Sequence, residues 1–331
     1  MDLFELTKSL VNMASVTGHE KACAEFIKGY LIQLGFQAEL MPVSRDRSNV
    51  FATWGKPDIV LSTHMDTVPP FFSAHEDADY IYGRGSCDAK GILAAQVSAA
   101  ERLKKDGVED FALLFLVGEE TVSDGAREAN LHPRGSRYII NGEPTENKLV
   151  IGTKGNLRID LRARGKMAHS AYPHLGVNAI DKLLDVLADL RKLPLPVSPV
   201  LGPSTMNIGV ITGGRAANVV PDEAVAQILI RIVEDVEPLR RKITEIIAGR
   251  CEIEFVRDTP LLTMEKLDGY ETAVVAFTTD LPALTHWGRP LLLGPGSINV
   301  AHTDCECVRK ADLVAAADLY YSLVRDLKNR G

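Results

Sequence analysis

In this chain, apolar runs repeatedly end on acidic or histidine residues. IVLSTH stops at His64, FALLFLVGEE at Glu119 and Glu120, YIINGEPT reaches Glu143, and PLLLGPGSINVAH reaches His302. Asp88 follows the Gly-rich turn in GRGSCDAKG. Open parallel sheets bind their ligands outside the carboxyl ends of the strands. The pattern predicts an α/β fold whose sheet rim gathers two imidazoles and several carboxylates, the donor set of a divalent-metal site.

The intervening segments supply the rest of such a fold. The first thirty-four residues read as helices, with Ala22, Phe26, Ile27, Tyr30, Leu31 and Leu34 at helical spacing and Gly35 as a stop. Strands are expected at 36–41, 49–54 and 59–64, a helix over 91–105, and strands at 111–117 and 137–141 with a short helix between them. This alternation predicts a mixed sheet flanked by helices.

After residue 153 the periodicity changes. In NLRIDLRAR (156–164), Leu157, Ile159, Leu161 and Ala163 share one face, while Asn156, Arg158, Asp160, Arg162 and Arg164 share the other. That is an antiparallel strand covered on one side. A helix at 177–192, strands at 206–212 and 224–233, a helix at 236–249 and a strand at 251–257 complete a βαββαβ unit. Such a unit forms an α+β domain of four strands and two helices. The α/β pattern resumes with a strand at 289–293 and a helix at 310–328, so 154–261 is expected as an insert in a domain made of 1–153 and 262–331.

Charge and composition exclude several classes. A net charge of −7 argues against a nucleic-acid surface, and no apolar run is long enough for a membrane span. The opening MDLFELTKSL lacks the features of a secretion signal, and the five scattered cysteines suggest reduced thiols, so a cytoplasmic location is expected. Cys305-x-Cys307 has no second pair at zinc-ribbon spacing.

Within the rim, His64 and Asp66 lie two apart and share a face. Metal-bound imidazole usually gives its other N–H to a carboxylate, which makes His64 a ligand and Asp66 its partner. Asp88 can offer both oxygens to two cations. Glu119 and Glu120 leave their strand in different directions, so one can ligate while the other serves as the base that activates water. Glu143 and His302 would close the two coordination shells. His19, His75, His132, His174 and His286 have no such setting.

HMDTVP, GRGSCDAKGILAA, GEET, NGEPT, GKMAHSAYPHLGVNAI, NVVPDEA and GPGSINVAHTDCECV, in that order, resemble the co-catalytic zinc aminoacylase and carboxypeptidase family. Its members include acetylornithine deacetylase, succinyl-diaminopimelate desuccinylase and glutamate carboxypeptidase. The resemblance spans nearly the whole chain. It implies a zinc-aminopeptidase-like catalytic domain, an inserted lid and dimerisation domain, and a homodimer formed through that lid. It also implies two divalent ions, Zn2+ or Co2+, with His64, Asp88 and Glu143 on one and Asp88, Glu120 and His302 on the other. Glu119 matches the general base. His169 matches a lid histidine that reaches the partner's site and steadies the oxyanion. Asn218, Arg231 and the loop Gly294–Gly296–Ser297 match substrate-binding positions, with Arg231 on a substrate carboxylate. Lys154 stands where desuccinylases carry an arginine, and Lys154-Gly155 with GPGSINVAH looks closer to acetylornithine deacetylase. The expected activity is hydrolysis of an N-acyl-L-amino acid, as in amino-acid and arginine biosynthesis. Desuccinylase, dipeptidase, carboxypeptidase and non-catalytic metal-binding readings are the alternatives.

Overall fold

The structure is a computed structural model describing residues 1–330. It divides into two units: Gly152–Thr263 with Val274–Thr278, and the remainder of the chain.

The larger unit is built on a six-stranded sheet. Its spatial order is Gln37–Ser44, Arg47–Trp54, Phe111–Leu116, Ile59–His64, Tyr138–Asn141, Arg289–Leu292. The last four strands are parallel, and the first two join them antiparallel. Ile59–His64 and Phe111–Leu116 are buried at every position, which is why FALLFL is continuously apolar and IVL opens the other strand without alternation. Leu61, Leu113, Phe115 and Ile140 pack with Ile92, Leu93 and Val97 of helix Lys90–Lys105 and with Tyr320 and Leu323 of helix Lys310–Lys328. Each such side chain contributes about 1.5–3 kcal/mol by leaving water. Parallel pairing brings His64 and the segments after Leu116, Asn141 and Leu292 to one edge.

The expected helical start is interrupted. Helices Leu3–Val11 and Lys21–Gln33 flank a loop in which Ser15 Oγ donates to the Met65 carbonyl at 2.7 Å and Thr17 Oγ1 to Asp66 Oδ2 at 2.7 Å. These bonds divert the backbone toward the rim.

In the smaller unit, Thr205–Gly213, Glu223–Ile232, Gly155–Arg164 and Glu252–Thr259 form an antiparallel sheet in that spatial order. Leu157, Ile159, Leu161 and Ala163 are buried under helices Ala179–Leu190 and Val236–Ile247, as the alternation predicts. The Asn178 side chain caps the first helix by accepting from Ile180 N at 2.9 Å. The unit runs Gly152–Thr263 where the sequence predicts 154–261, and it takes in one further segment. Val274–Thr278 joins this unit, where the Val275 carbonyl accepts the Lys154 N–H at 3.1 Å. Among the described residues, no helix is long and apolar enough to cross a membrane, and all five cysteines are free.

Candidate metal centre

His64 closes its strand with a side chain 1% exposed. Its Nε2 lies 3.0 Å from Asp88 Oδ1, and its Nδ1 lies 3.0 Å from the Asp66 main-chain oxygen. The Asp66 carboxylate, expected as the partner of this ring, is farther off at 3.5 Å. It is used elsewhere: it accepts the N–H groups of Glu119 at 3.1 Å and Glu120 at 3.2 Å, and the Thr17 hydroxyl. Asp66 therefore orients the ring through its carbonyl and the glutamate turn through its carboxylate.

That turn depends on Gly118. Its φ is +78°, and a Cβ there would fall 1.9 Å from Asp124 Oδ1, so only glycine lets the chain leave the strand this way.

Asp88 lies two residues before helix Lys90–Lys105, joined to Ala89 by a cis peptide bond. Its Oδ1 faces His64, and its Oδ2 lies 3.4 Å from His302 Nε2. His302 Nε2 also lies 2.9 Å from Glu120 Oε2. Burial opposes ionisation of Asp88, but the His302 and His64 imidazoles outweigh it and hold the carboxyl below its ordinary value. Asp88 and Glu120 in turn push the His302 imidazole up to about 10. Burial works against the His64 cation, yet Asp66, Asp88 and Glu143 raise its proton affinity well above normal.

Glu119 and Glu143 behave oppositely. Burial, reinforced by neighbouring carboxylates, pushes both well above the usual range, and Glu143 Oε1 has no hydrogen-bond partner. Buried carboxylates without enough cations are costly, and a bound cation removes that cost.

His64, Asp88 and Glu143 form one group of donors, and Asp88, Glu120 and His302 form another; within each, ligand atoms lie within 4.8 Å of one another. Asp88 belongs to both. The imidazole and carboxylate donors, the orphaned Glu143 oxygen and the shared Asp88 all fit a pair of divalent ions.

The GPGS loop is tied to this rim. Gly294 N donates to Thr145 Oγ1 at 3.0 Å, Ser297 Oγ donates to Glu146 Oε1 at 3.2 Å, and the Gly296 carbonyl accepts from Glu146 N at 2.8 Å. A Cβ on Gly294 would sit 2.4 Å from the Glu143 carbonyl, so a side chain there would displace Glu143.

The other expected residues lie in the smaller unit. His169 forms a β-bridge with Val219, and the Asn218 carbonyl accepts the Ser170 N–H at 3.0 Å, which brings His169 and Asn218 together. The Ala171 N–H donates to His169 Nδ1 at 3.1 Å, so the neutral ring carries its proton on Nε2. Arg231 lies elsewhere. It pairs in register with Asn156, next to Gly155 and Lys154, at the opposite end of strand Glu223–Ile232. The Lys154 ammonium donates to the Pro203 carbonyl at 2.6 Å.

Two buried acids escaped sequence reasoning. Asp280 is 0% exposed with both oxygens unpartnered, and burial pushes its carboxyl up to about 7. Its charge bears on Glu119 and Glu143. Glu306 is also fully buried. In sequence, TTDLP reads as a turn and DCEC as a polar loop, and nothing local marks either acid as interior.

Comparison with known proteins fits this architecture. Residues 151–255 match the peptidase dimerisation domain of the M20 family. Over 98% of its length the chain is 40% identical to a peptidase M20 domain-containing protein of Schizosaccharomyces pombe, covering 84% of that protein. It is 37% identical to a protein of Aspergillus terreus named "probable carboxypeptidase", across 96% of this chain and 84% of that one. Its fold matches a tripeptidase of Staphylococcus aureus with a TM-score of 0.82 at 23% identity, over 98% of each chain. The chain belongs to the M20 peptidase family, a class of enzymes acting on amide bonds.

Proposed function

We propose that this protein is a dinuclear metal-dependent hydrolase of carboxypeptidase type. It would cleave the amide on the amino side of an amino acid that carries a free carboxylate. The observation carrying this reading is the pair of donor groups sharing Asp88, with Glu119 on the same turn as Glu120. His64, Asp88 and Glu143 would hold one ion and Asp88, Glu120 and His302 the other. When bound, the ions would supply Lewis acidity, polarising the scissile carbonyl and acidifying water.

Glu119 takes the proton from the attacking water and returns it to the leaving nitrogen. His169, with its proton fixed on Nε2, donates to the oxyanion. Arg231 binds the substrate carboxylate. It is half-buried, burial depresses its pKa, and it has no acidic partner among the described residues. Asn218, which lies beside His169, and the Gly294–Ser297 loop would contribute further substrate contacts.

The spacing within the lid supports action across a dimer. Arg231 and Glu223 lie eight residues apart on one strand, roughly 27 Å at about 3.4 Å per residue, and the ladder continues past Glu223 to the His169–Val219 bridge. A small substrate held at Arg231 cannot reach His169 of the same copy, so His169 comes from a partner subunit.

The acyl side of the substrate is peptidyl in this reading, as the names of the fungal relatives suggest. Lys154-Gly155 with GPGSINVAH favours a second reading, removal of a simple acyl group as in acetylornithine deacetylase. Zinc- or cobalt-loaded protein assayed on dipeptides, longer peptides, N-acetylornithine and N-succinyl-diaminopimelate separates the two. Turnover of peptides with free but not amidated C-termini supports the first reading. Turnover of acyl amino acids alone replaces it with the second, and inertness toward every amide removes both.

A further inference from the structure

Glu306 sits four residues after His302, is 0% exposed, and faces the loop that carries Asp88. Its Oε1 accepts three main-chain N–H groups, from Gly85 at 2.9 Å, Cys87 at 3.1 Å and Asp88 at 3.0 Å. Its Oε2 accepts from Arg84 Nη1 at 2.6 Å, and its own carbonyl accepts the Gly83 N–H at 3.1 Å. Arg84 is itself 1% exposed, donates to the Pro70 carbonyl at 3.2 Å and lies 5.0 Å over the Phe72 ring. One residue thus gathers the turn from Gly83 to Asp88, its carbonyl holding Gly83 and its carboxylate holding Arg84, Gly85, Cys87 and Asp88.

The cost of this arrangement indicates its purpose. A buried ion pair is often no better for stability than apolar packing of similar volume. Glu306 connects the short segment holding His302 to the turn holding Asp88, the two residues whose side chains meet at 3.4 Å. Asp88 is also the donor common to both groups. Any slip of its main chain would therefore disturb both groups at once.

We propose that Glu306 is the positioning residue of the metal centre, fixing the main chain of Asp88 so that its two oxygens are held between His64 and His302. The inference rests on the dinuclear reading above. Outer partners of metal ligands typically control ~10–100-fold in affinity. In Glu306→Gln the amide keeps only one acceptor oxygen, so either the three N–H groups or Arg84 loses its partner. In Arg84→Lys the carboxylate stays but loses its planar guanidinium anchor.

Chelator-stripped full-length protein is titrated with Co2+ and followed by visible absorption, whose ligand-field bands report donor geometry, alongside metal-free thermal melts. The wild-type protein is expected to take up two equivalents. Glu306→Gln is expected to bind ~10–100-fold more weakly with altered bands, and Arg84→Lys to show the same spectral change with a smaller loss. Wild-type affinity and bands in a folded Glu306→Gln protein overturn the inference even if its melting temperature falls, because the residue is then only structural. If Glu306→Gln does not fold, Arg84→Lys decides: shifted bands support the inference and unchanged bands overturn it. A wild-type protein that binds fewer than two equivalents defeats the dinuclear reading itself, and this inference with it.

Discussion

The carboxylate of Asp66 accepts the main-chain N–H of Glu119 at 3.1 Å. The residue two places after His64 therefore holds the turn on which the proposed base stands. Asp66→Asn keeps the shape but weakens the charge-assisted bonds to Glu119, Glu120 and Thr17. Turnover is expected to fall ~10–100-fold with little change in KM. Unchanged kinetics would leave Asp66 with only its main-chain contact to His64.

Glu119→Gln should keep both ions yet slow turnover by at least ~10²-fold, the usual effect of losing an acid–base group. Metal analysis alongside kcat checks this, and near-normal turnover removes Glu119 from its role.

His169→Ala should lower kcat by ~10²-fold or more at constant metal content. Mixing inactive Glu119→Gln and His169→Ala subunits, then allowing exchange, should restore part of the activity, because some hybrid dimers contain one intact site. No recovery after verified exchange would place His169 outside the partner's site.

Arg231→Ala should reduce kcat/KM ~10–100-fold for substrates with a free carboxylate, matching the ~1.5–3 kcal/mol of a charged hydrogen bond. C-terminally amidated substrates should be insensitive to the change. Equal losses on both would show that Arg231 supports the sheet instead of reading the substrate.

Metal-free protein should lose stability as pH rises from about 5 to 8. Burial raises the folded-state pKa of Glu119 and Glu143, and their acidic neighbours raise those of His64 and His302. Such groups bind more protons folded than unfolded, so their contribution is complete below the unfolded pKa and lost as pH climbs through the folded value. Asp88 has the opposite sign, but its lowered pKa confines its effect to more acidic solution. Thermal melts across this range check the slope, and added Zn2+ should stabilise more at pH 8 than at pH 5. A flat or rising metal-free profile would contradict the assignment.

Sequence alone revealed the periodic elements and the rim, because each depends on local pattern. The alternation of Leu157, Ile159, Leu161 and Ala163 sufficed for a one-sided strand, and the continuous run FALLFL for a buried one. What stayed hidden depends on distant segments. Arg47 bridges Glu20 and Asp124, three residues with no local sign of pairing. Asp280 and Glu306 look like loop acids until the fold encloses them. Nor could spacing show whether Asp66 serves His64 through its carboxylate or its carbonyl, since both atoms leave the same residue.

The long reach of these contacts has a consequence for biogenesis. Glu120 and His302 are 182 positions apart, and Arg84 and Glu306 are 222 apart. A nascent chain emerging from the ribosome cannot complete the Asp88–Glu120–His302 group, or anchor the Asp88 turn through Glu306, until its last third has docked. Filling of both groups must then follow docking of the C-terminal segments onto the larger unit, and a truncated translation product could offer only the His64–Asp88–Glu143 donors.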